Sequence, residues 1–174
     1  MKIRRVVTSR GPGGEAVVVS DGPAPRTHDF RHVPGMSATM LWATAAGQPA
    51  GSTDPTPDLR SQLPEPGGTC LVIVRFPPDD VLRDVDPVAA GAEHQMASPG
   101  IAEHFEPDNP GMHATHSVDY VLVLEGEIWL DLGDGEMIRL GRGDTVIQNA
   151  TRHAWRNLSD AAATLAVVHV GVTR

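Results

Sequence analysis

A single cysteine, Cys70, stands in 174 residues, which excludes an intrachain disulfide and leaves stability to a packed core. Its neighbours in TCLVIVRF, Thr69 to Phe76, are apolar, so the thiol reads as a small buried hydrophobe and not a nucleophile. No apolar run approaches the roughly 20 residues that span a bilayer, and Met1 to Gly14 lack the apolar stretch of a secretory leader. A cytoplasmic protein without membrane contact is expected. Basic residues are also few: 14 Lys and Arg stand against 22 Asp and Glu, a formal charge of -8. That balance disfavours nucleic acid and anionic lipid as partners and favours a small molecule. Long helices are disfavoured as well, because 18 Gly and 15 Pro interrupt the chain throughout.

What remains is a series of short apolar and β-branched runs. Ile3 to Thr8 and Glu15 to Ser20 flank the turn Gly11 to Gly14 and predict a hairpin. Met36 to Thr44 predicts a further strand, and Ala45 to Gly68 a Pro-rich loop. Thr69 to Phe76 predicts a buried strand, ended by Pro77 and Pro78. Asp79 to Gly111 allows a helical turn at Val88 to Ala90, but its prolines suggest a lid or a loop across a barrel mouth. The last third is more regular. Strands are predicted at Tyr120 to Leu124, Glu127 to Leu132, Met137 to Leu140, Thr145 to Gln148, His153 to Asn157 and Thr164 to Val172, separated by Gly- and Asp-rich turns. The pattern is that of an all-β antiparallel sandwich or barrel, read as one domain with N-terminal strands and loop over 1–68 and the barrel over 69–174.

The chemistry gathers in two blocks, 111–126 and 143–157. Alternation along a strand places His113, Thr115, Ser117 and Asp119 on one face and His116 on the other, unless a bulge turns His116 inward. His153, Trp155 and Asn157 form a second face-sharing set. Facing each other across a barrel, His113, Asp119 and His153 make two imidazoles and one carboxylate, a facial triad with open positions suited to iron(II) and tolerated by manganese, nickel, cobalt or zinc.

These blocks resemble the cupin superfamily, whose motifs have the forms G(X)5HXH(X)3-4E(X)6G and G(X)5PXG(X)2H(X)3N. Here the first runs His113-Ala114-Thr115, then Asp119 and Gly126; the second runs from Gly143-Asp144 through Ala150 to His153 and Asn157. Thr115 stands at the second His, Asp119 replaces Glu, Gln148 or Asn149 replaces Pro, and Ala150 replaces Gly. The resemblance, to small single-domain bacterial cupins, implies a jelly-roll barrel, a double-stranded β-helix with extra N-terminal strands. It also implies a divalent metal held by His113, Asp119 and His153.

The expected function is a metal-dependent enzyme acting on a small organic acid or polyketide-like metabolite, of lyase type: a decarboxylation, dehydration or isomerisation. A dioxygenase on the same triad and a non-catalytic binding barrel are the alternatives. His116 and His104 are the candidate bases, and Arg75, Thr115, Trp155 and Gln148 the candidate substrate contacts. Arg75 ends an apolar strand, where its fork suits a carboxylate or is simply an exposed strand end. A homodimer is expected, with the N-terminal hairpin available to a partner's sheet edge.

Overall fold

Alternation decides the sheets. Between Ser117 and Glu125, Ser117, Asp119, Val121 and Val123 are buried while Tyr120, Leu122 and Leu124 are exposed, the period of two of a strand with one wet face. The same rule runs through the computed structural model, which describes residues 2–51 and 53–173. Its strands are β1 (Arg4–Arg10), β2 (Ala16–Pro23), β3 (Arg26–Asp29), β4 (Ser37–Thr44), β5 (Thr69–Phe76), β6 (Ser117–Glu125), β7 (Glu127–Asp131), β8 (Met137–Gly141), β9 (Thr145–Asn149), β10 (Ala154–Arg156) and β11 (Ala163–Gly171), with one α-helix, α1 (Pro87–Ala97). The pairings are all antiparallel: a β1-β2 hairpin, a three-stranded sheet β10-β7-β8 and a six-stranded sheet β3-β4-β5-β11-β6-β9. The architecture is the all-β jelly roll expected. The six-stranded sheet begins before residue 69, since it takes β4 and the short β3, a strand that the sequence reading passed over.

Register stacks the inner face of the large sheet into rows. Gln148, Asp119, His169, Cys70 and Ala43 are successive cross-strand partners and all are buried. The next row, Val146, Val121, Val167, Val72 and Met40, is wholly apolar. Val121, Val123, Leu165 and Val167 then meet Ile128, Leu130 and Leu140 of the small sheet in the main core cluster. Each fully buried aliphatic side chain of this kind contributes about 1.5–3 kcal/mol. Cys70 lies at the polar row as a buried thiol whose pKa burial pushes up to about 12, so it packs and does not react.

Two motif positions acquire physical reasons. Gly126, between β6 and β7, has φ +74, and a Cβ there would lie 2.5 Å from the carbonyl oxygen of Ala162, so only glycine fits. Ala150 has φ +54, alone among the described non-glycine residues in the left-handed region. It holds the position where the motif carries glycine, and an L-residue there costs roughly 1–2 kcal/mol.

The segment 79–112 is more ordered than its prolines suggested. Pro87 opens α1 instead of breaking it: proline is tolerated at the first helical position, and Asp86 caps the helix by accepting from the amide of Val88 at 2.9 Å. Short 3-10 turns at Asp79–Asp84 and Ala102–His104 flank the helix. Glu93 fastens α1 to the loop after β3, accepting from the backbone amides of Arg31 (2.8 Å) and His32 (2.7 Å) and bonding His28 Nε2 (2.9 Å). Burial pushes this carboxyl up, but those donors outweigh it and bring its pKa down to about 2. Among the described residues no helix is long and apolar enough to cross a membrane.

Two outcomes follow from these contacts. Ala150→Gly is expected to stabilise the fold by roughly 1 kcal/mol, relieving the left-handed strain less the added freedom of the unfolded chain, read as a raised midpoint in urea. Because the folded pKa of Glu93 lies below its unfolded value, its stabilisation is complete above about pH 4.5 and is lost as pH falls toward about 2. Glu93→Gln therefore flattens that part of the stability–pH curve, and amide exchange at Arg31 and His32 speeds up in the variant at neutral pH.

Candidate functional site

His113 and His153 lie side by side where the two sheets converge, fixed by a reciprocal pair of backbone hydrogen bonds, each N–H to the other's carbonyl at 2.9 Å. Their rings stand 4.5 Å apart between centroids, tilted by 48°. Each Nδ1 is bound to a carbonyl two residues upstream, Gly111 for His113 and Thr151 for His153, both at 2.9 Å. Only a protonated nitrogen donates to a carbonyl, so the hydrogen sits on Nδ1, and in the neutral ring Nε2 keeps its lone pair. The neutral form is favoured. Burial, reinforced by the neighbouring His153, lowers the pKa of His113 to about 4, and burial lowers that of His153 as well.

The carboxylate of the site comes from the facing sheet. Asp119 is 3% exposed, and its Oδ1 accepts from His169 Nδ1 at 2.9 Å. Burial pushes its pKa up, but the hydrogen bond and charge of His169, with further help from Ser117 and His153, hold it below the ordinary range. Thr115 is buried and spends its hydroxyl on Ser117 at 2.9 Å. Gln148, the cross-strand partner of Asp119, accepts from the hydroxyl of Thr151, and its Nε2 is buried without a hydrogen-bond partner.

A column of rings closes the site. From His28 it runs through Phe30, His94, Phe105, His113 and His153 to Trp155, with neighbouring centroids 4.5–5.8 Å apart. Helix α1 supplies His94, so the segment read as a lid does lie against the site, through Phe105 and not through His104. Two arginines pin the loop that carries His113. Arg156 donates to Asp131 (3.0 Å), to the carbonyl of Pro110 (2.7 Å) and to Asn109 (2.9 Å), and Arg152 grips Glu106 with two bonds, at 2.6 and 2.7 Å.

The structure thus brings His113, Thr115, Asp119, Gln148, His153 and Trp155 to one interior. Trp155 also packs on the main core, and Asn157 fixes the turn after β10 by donating to the carbonyls of Phe76 and Ala161. Three expected residues lie elsewhere. Arg75 shares the outer face of β5 with Leu71 and Ile73 and donates to the carbonyl of Gly35 at 2.9 Å. No bulge turns His116 inward; it is exposed, and with His104 it lines a separate surface groove of about 600 Å³ beside Pro64, Pro66, Glu103 and Val172. The residue passed over was His169. Its inward face follows from alternation with Leu165 and Val167, but its pairing with Asp119 is set by register, which the sequence leaves open.

In donor chemistry the two imidazoles fit a divalent ion: each is held by a carbonyl on Nδ1 and offers Nε2, the usual arrangement behind a metal-bound histidine. Asp119 is committed to His169, and among the described residues no group of three His, Cys, Asp or Glu side chains is placed to hold an ion. The loop anchoring His113 is open to test. Arg156→Ala is expected to lower stability by roughly 1–3 kcal/mol and to speed amide exchange over 106–112, whereas a variant with unchanged exchange there removes Arg156 from the support of His113.

The family model of the cupin domain matches residues 101–169. A phomopsin biosynthesis cluster protein of Diaporthe leptostromiformis is 53% identical over 51 residues, 29% of this chain and 27% of that protein. An oryzines biosynthesis cluster protein of Aspergillus oryzae is 44% identical over 50 residues, 29% and 28%. A cupin-domain-containing oxidoreductase of Hypocrea virens is 42% identical over 48 residues, 28% and 25%. The chain thus spans about a quarter of the length of these relatives. Among solved structures, the cupin domain of Schizosaccharomyces pombe Cnp3 is similar with TM-score 0.48 at 12% identity, over 98% of this chain and 89% of that one. The match to the cupin domain covers the segment that carries His113, Asp119, His153 and His169.

Proposed function

We propose that this interior is the site of a metal-dependent enzyme of small-molecule metabolism, acting by lyase-type chemistry on an organic acid or polyketide-like compound. The observation that supports it most is the shared posture of His113 and His153, rings side by side, both neutral and both held through Nδ1 so that Nε2 keeps its lone pair. His113 and His153 would hold the ion, with Asp119, the third ligand expected from sequence, standing opposite and turned to His169. A divalent ion there supplies a Lewis acid for a bound carbonyl or carboxylate. Gln148 Nε2 would donate to a substrate oxygen, since it is buried and lacks a partner. Phe105 and Trp155 flank the imidazole pair. The biosynthesis-cluster relatives agree with a role in metabolism over the quarter they share.

A dioxygenase uses the same residues and is favoured by the oxidoreductase relative; it differs in consuming oxygen during turnover. The engaged carboxylate favours a non-catalytic binding barrel. A homodimer remains part of the proposal, because Tyr120, Leu122 and Leu124 of β6 and Ile147 of β9 are exposed together on the outer sheet face.

Calorimetric titration of chelator-treated protein with Zn2+ is expected to saturate at one ion per chain, with affinity falling about tenfold or more in His113→Ala and in His153→Ala. Unchanged binding in either variant removes that residue from the site, and no binding by the parent protein sinks the metal-dependent reading.

A further inference from the structure

A buried carboxylate needs a compensating partner. Asp119 is the carboxylate expected from sequence at the ion, and it faces a histidine. Strand β11 lies between β5 and β6 in a register that sets His169 directly across from Asp119. His169 is 8% exposed and its Nδ1 reaches Oδ1 at 2.9 Å. That bond turns Oδ1 of the carboxylate toward His169. Its second oxygen keeps accepting capacity, yet no three donors stand round one point among the described residues. Thr115, at the position of the motif's second histidine, brings a hydroxyl bonded to Ser117 in place of an imidazole. Among the described residues the imidazole pair is therefore left without a third His, Cys, Asp or Glu placed to join it.

We propose that His169 is the residue that sets the cation affinity of this site, by holding Asp119 away from an ion bound at His113 and His153. The inference rests on the reading of those two histidines as ligands. It makes the site a weak, two-histidine one as built, with a third ligand present but withheld. Removing His169 with an apolar side chain of similar size leaves Asp119 buried with a lost partner, and the cation becomes the group that compensates it. His169 is then a positioning residue acting through Asp119, and its removal strengthens binding, the opposite of what loss of a ligand does.

Zn2+ titration of the whole chain by calorimetry tests this, with melting curves recorded with and without Zn2+. His169→Leu is expected to bind Zn2+ about tenfold or more tightly than the parent, the scale on which outer residues tune metal sites, and to gain more in melting temperature from Zn2+. Adding Asp119→Asn to His169→Leu abolishes the gain. His169→Asn, whose amide nitrogen stands in for Nδ1, restores the parent affinity. Equal affinity in the parent and His169→Leu overturns the proposal and leaves the two-histidine reading standing; weaker binding in His169→Leu overturns it by making His169 a ligand. Absence of Zn2+ binding from both proteins overturns the two-histidine reading and the proposal with it. Where His169→Leu does not fold, Asp119→Asn alone decides: affinity within about threefold of the parent supports the proposal, and a loss of tenfold or more shows Asp119 bound directly to the ion.

Discussion

The register of β11 is the constraint on which both core and site depend. This strand has neighbours on both sides, and its inward residues Leu165, Val167 and His169 face Val74, Val72 and Cys70 on one side and Val123, Val121 and Asp119 on the other. A slip of one residue turns all of them outward and brings Ala166, Val168 and Val170 inside. Such a slip loses Leu165 and Val167 from the core cluster and leaves Asp119 facing an apolar side chain. The burial of two large aliphatic side chains and the pairing of one buried charge therefore select the same register. The apolar rows fix the strand, and the fixed strand aims His169.

Electrostatics explains why this interior tolerates so many titratable groups. Three buried imidazoles and a buried carboxylate lie close together, and isolated charges there are costly. Each group is relieved in a different way. His113 and His153 stay neutral, since burial outweighs the favourable carbonyl contacts on Nδ1. Asp119 stays ionised, because its donors outweigh burial. A neutral imidazole with its proton on Nδ1 is a lone-pair donor at Nε2 and a poor proton carrier, so the pair suits ligation or acceptance of a hydrogen bond better than proton shuttling. That distinction counts against assigning the general base to either of them.

The barrel was legible because its signals are local. Alternation in β6 and β11, turns at glycine and aspartate, and the spacing from His113 to Gly126 are each read within a few residues. Gly126 and Ala150 show that motif positions carry backbone geometry, and the conformational demand at 150 is visible only once φ is known. The helix was misread because proline was taken as a breaker, whereas at the first turn, after a capping Asp86, it is a starter. Arg75 illustrates a different limit. Its neighbours in sequence are core residues, but the faces alternate, and counting from Cys70 places it outside. His116 was drawn in by a possible bulge beside the motif and His104 by its place in the loop read as a lid, and tertiary structure places both in a separate groove. His169 needed a partner some 50 positions away, and long-range register is what a single sequence specifies least.

The atoms left without partners describe the molecule this interior can accept. Loss of the motif's second histidine does not leave a gap in hydrogen bonding, because Thr115 and Ser117 satisfy each other. What is left over is different: the buried Nε2 of Gln148, next to Asp119 in the sheet, has no partner. A buried amide donor without a partner costs on the order of 1–3 kcal/mol, a debt that an oxygen-bearing ligand cancels on entry. An apolar molecule leaves that amide unmet. The same reasoning separates ion from substrate. The imidazoles call for a cation or a protic group, and the amide calls for an acceptor.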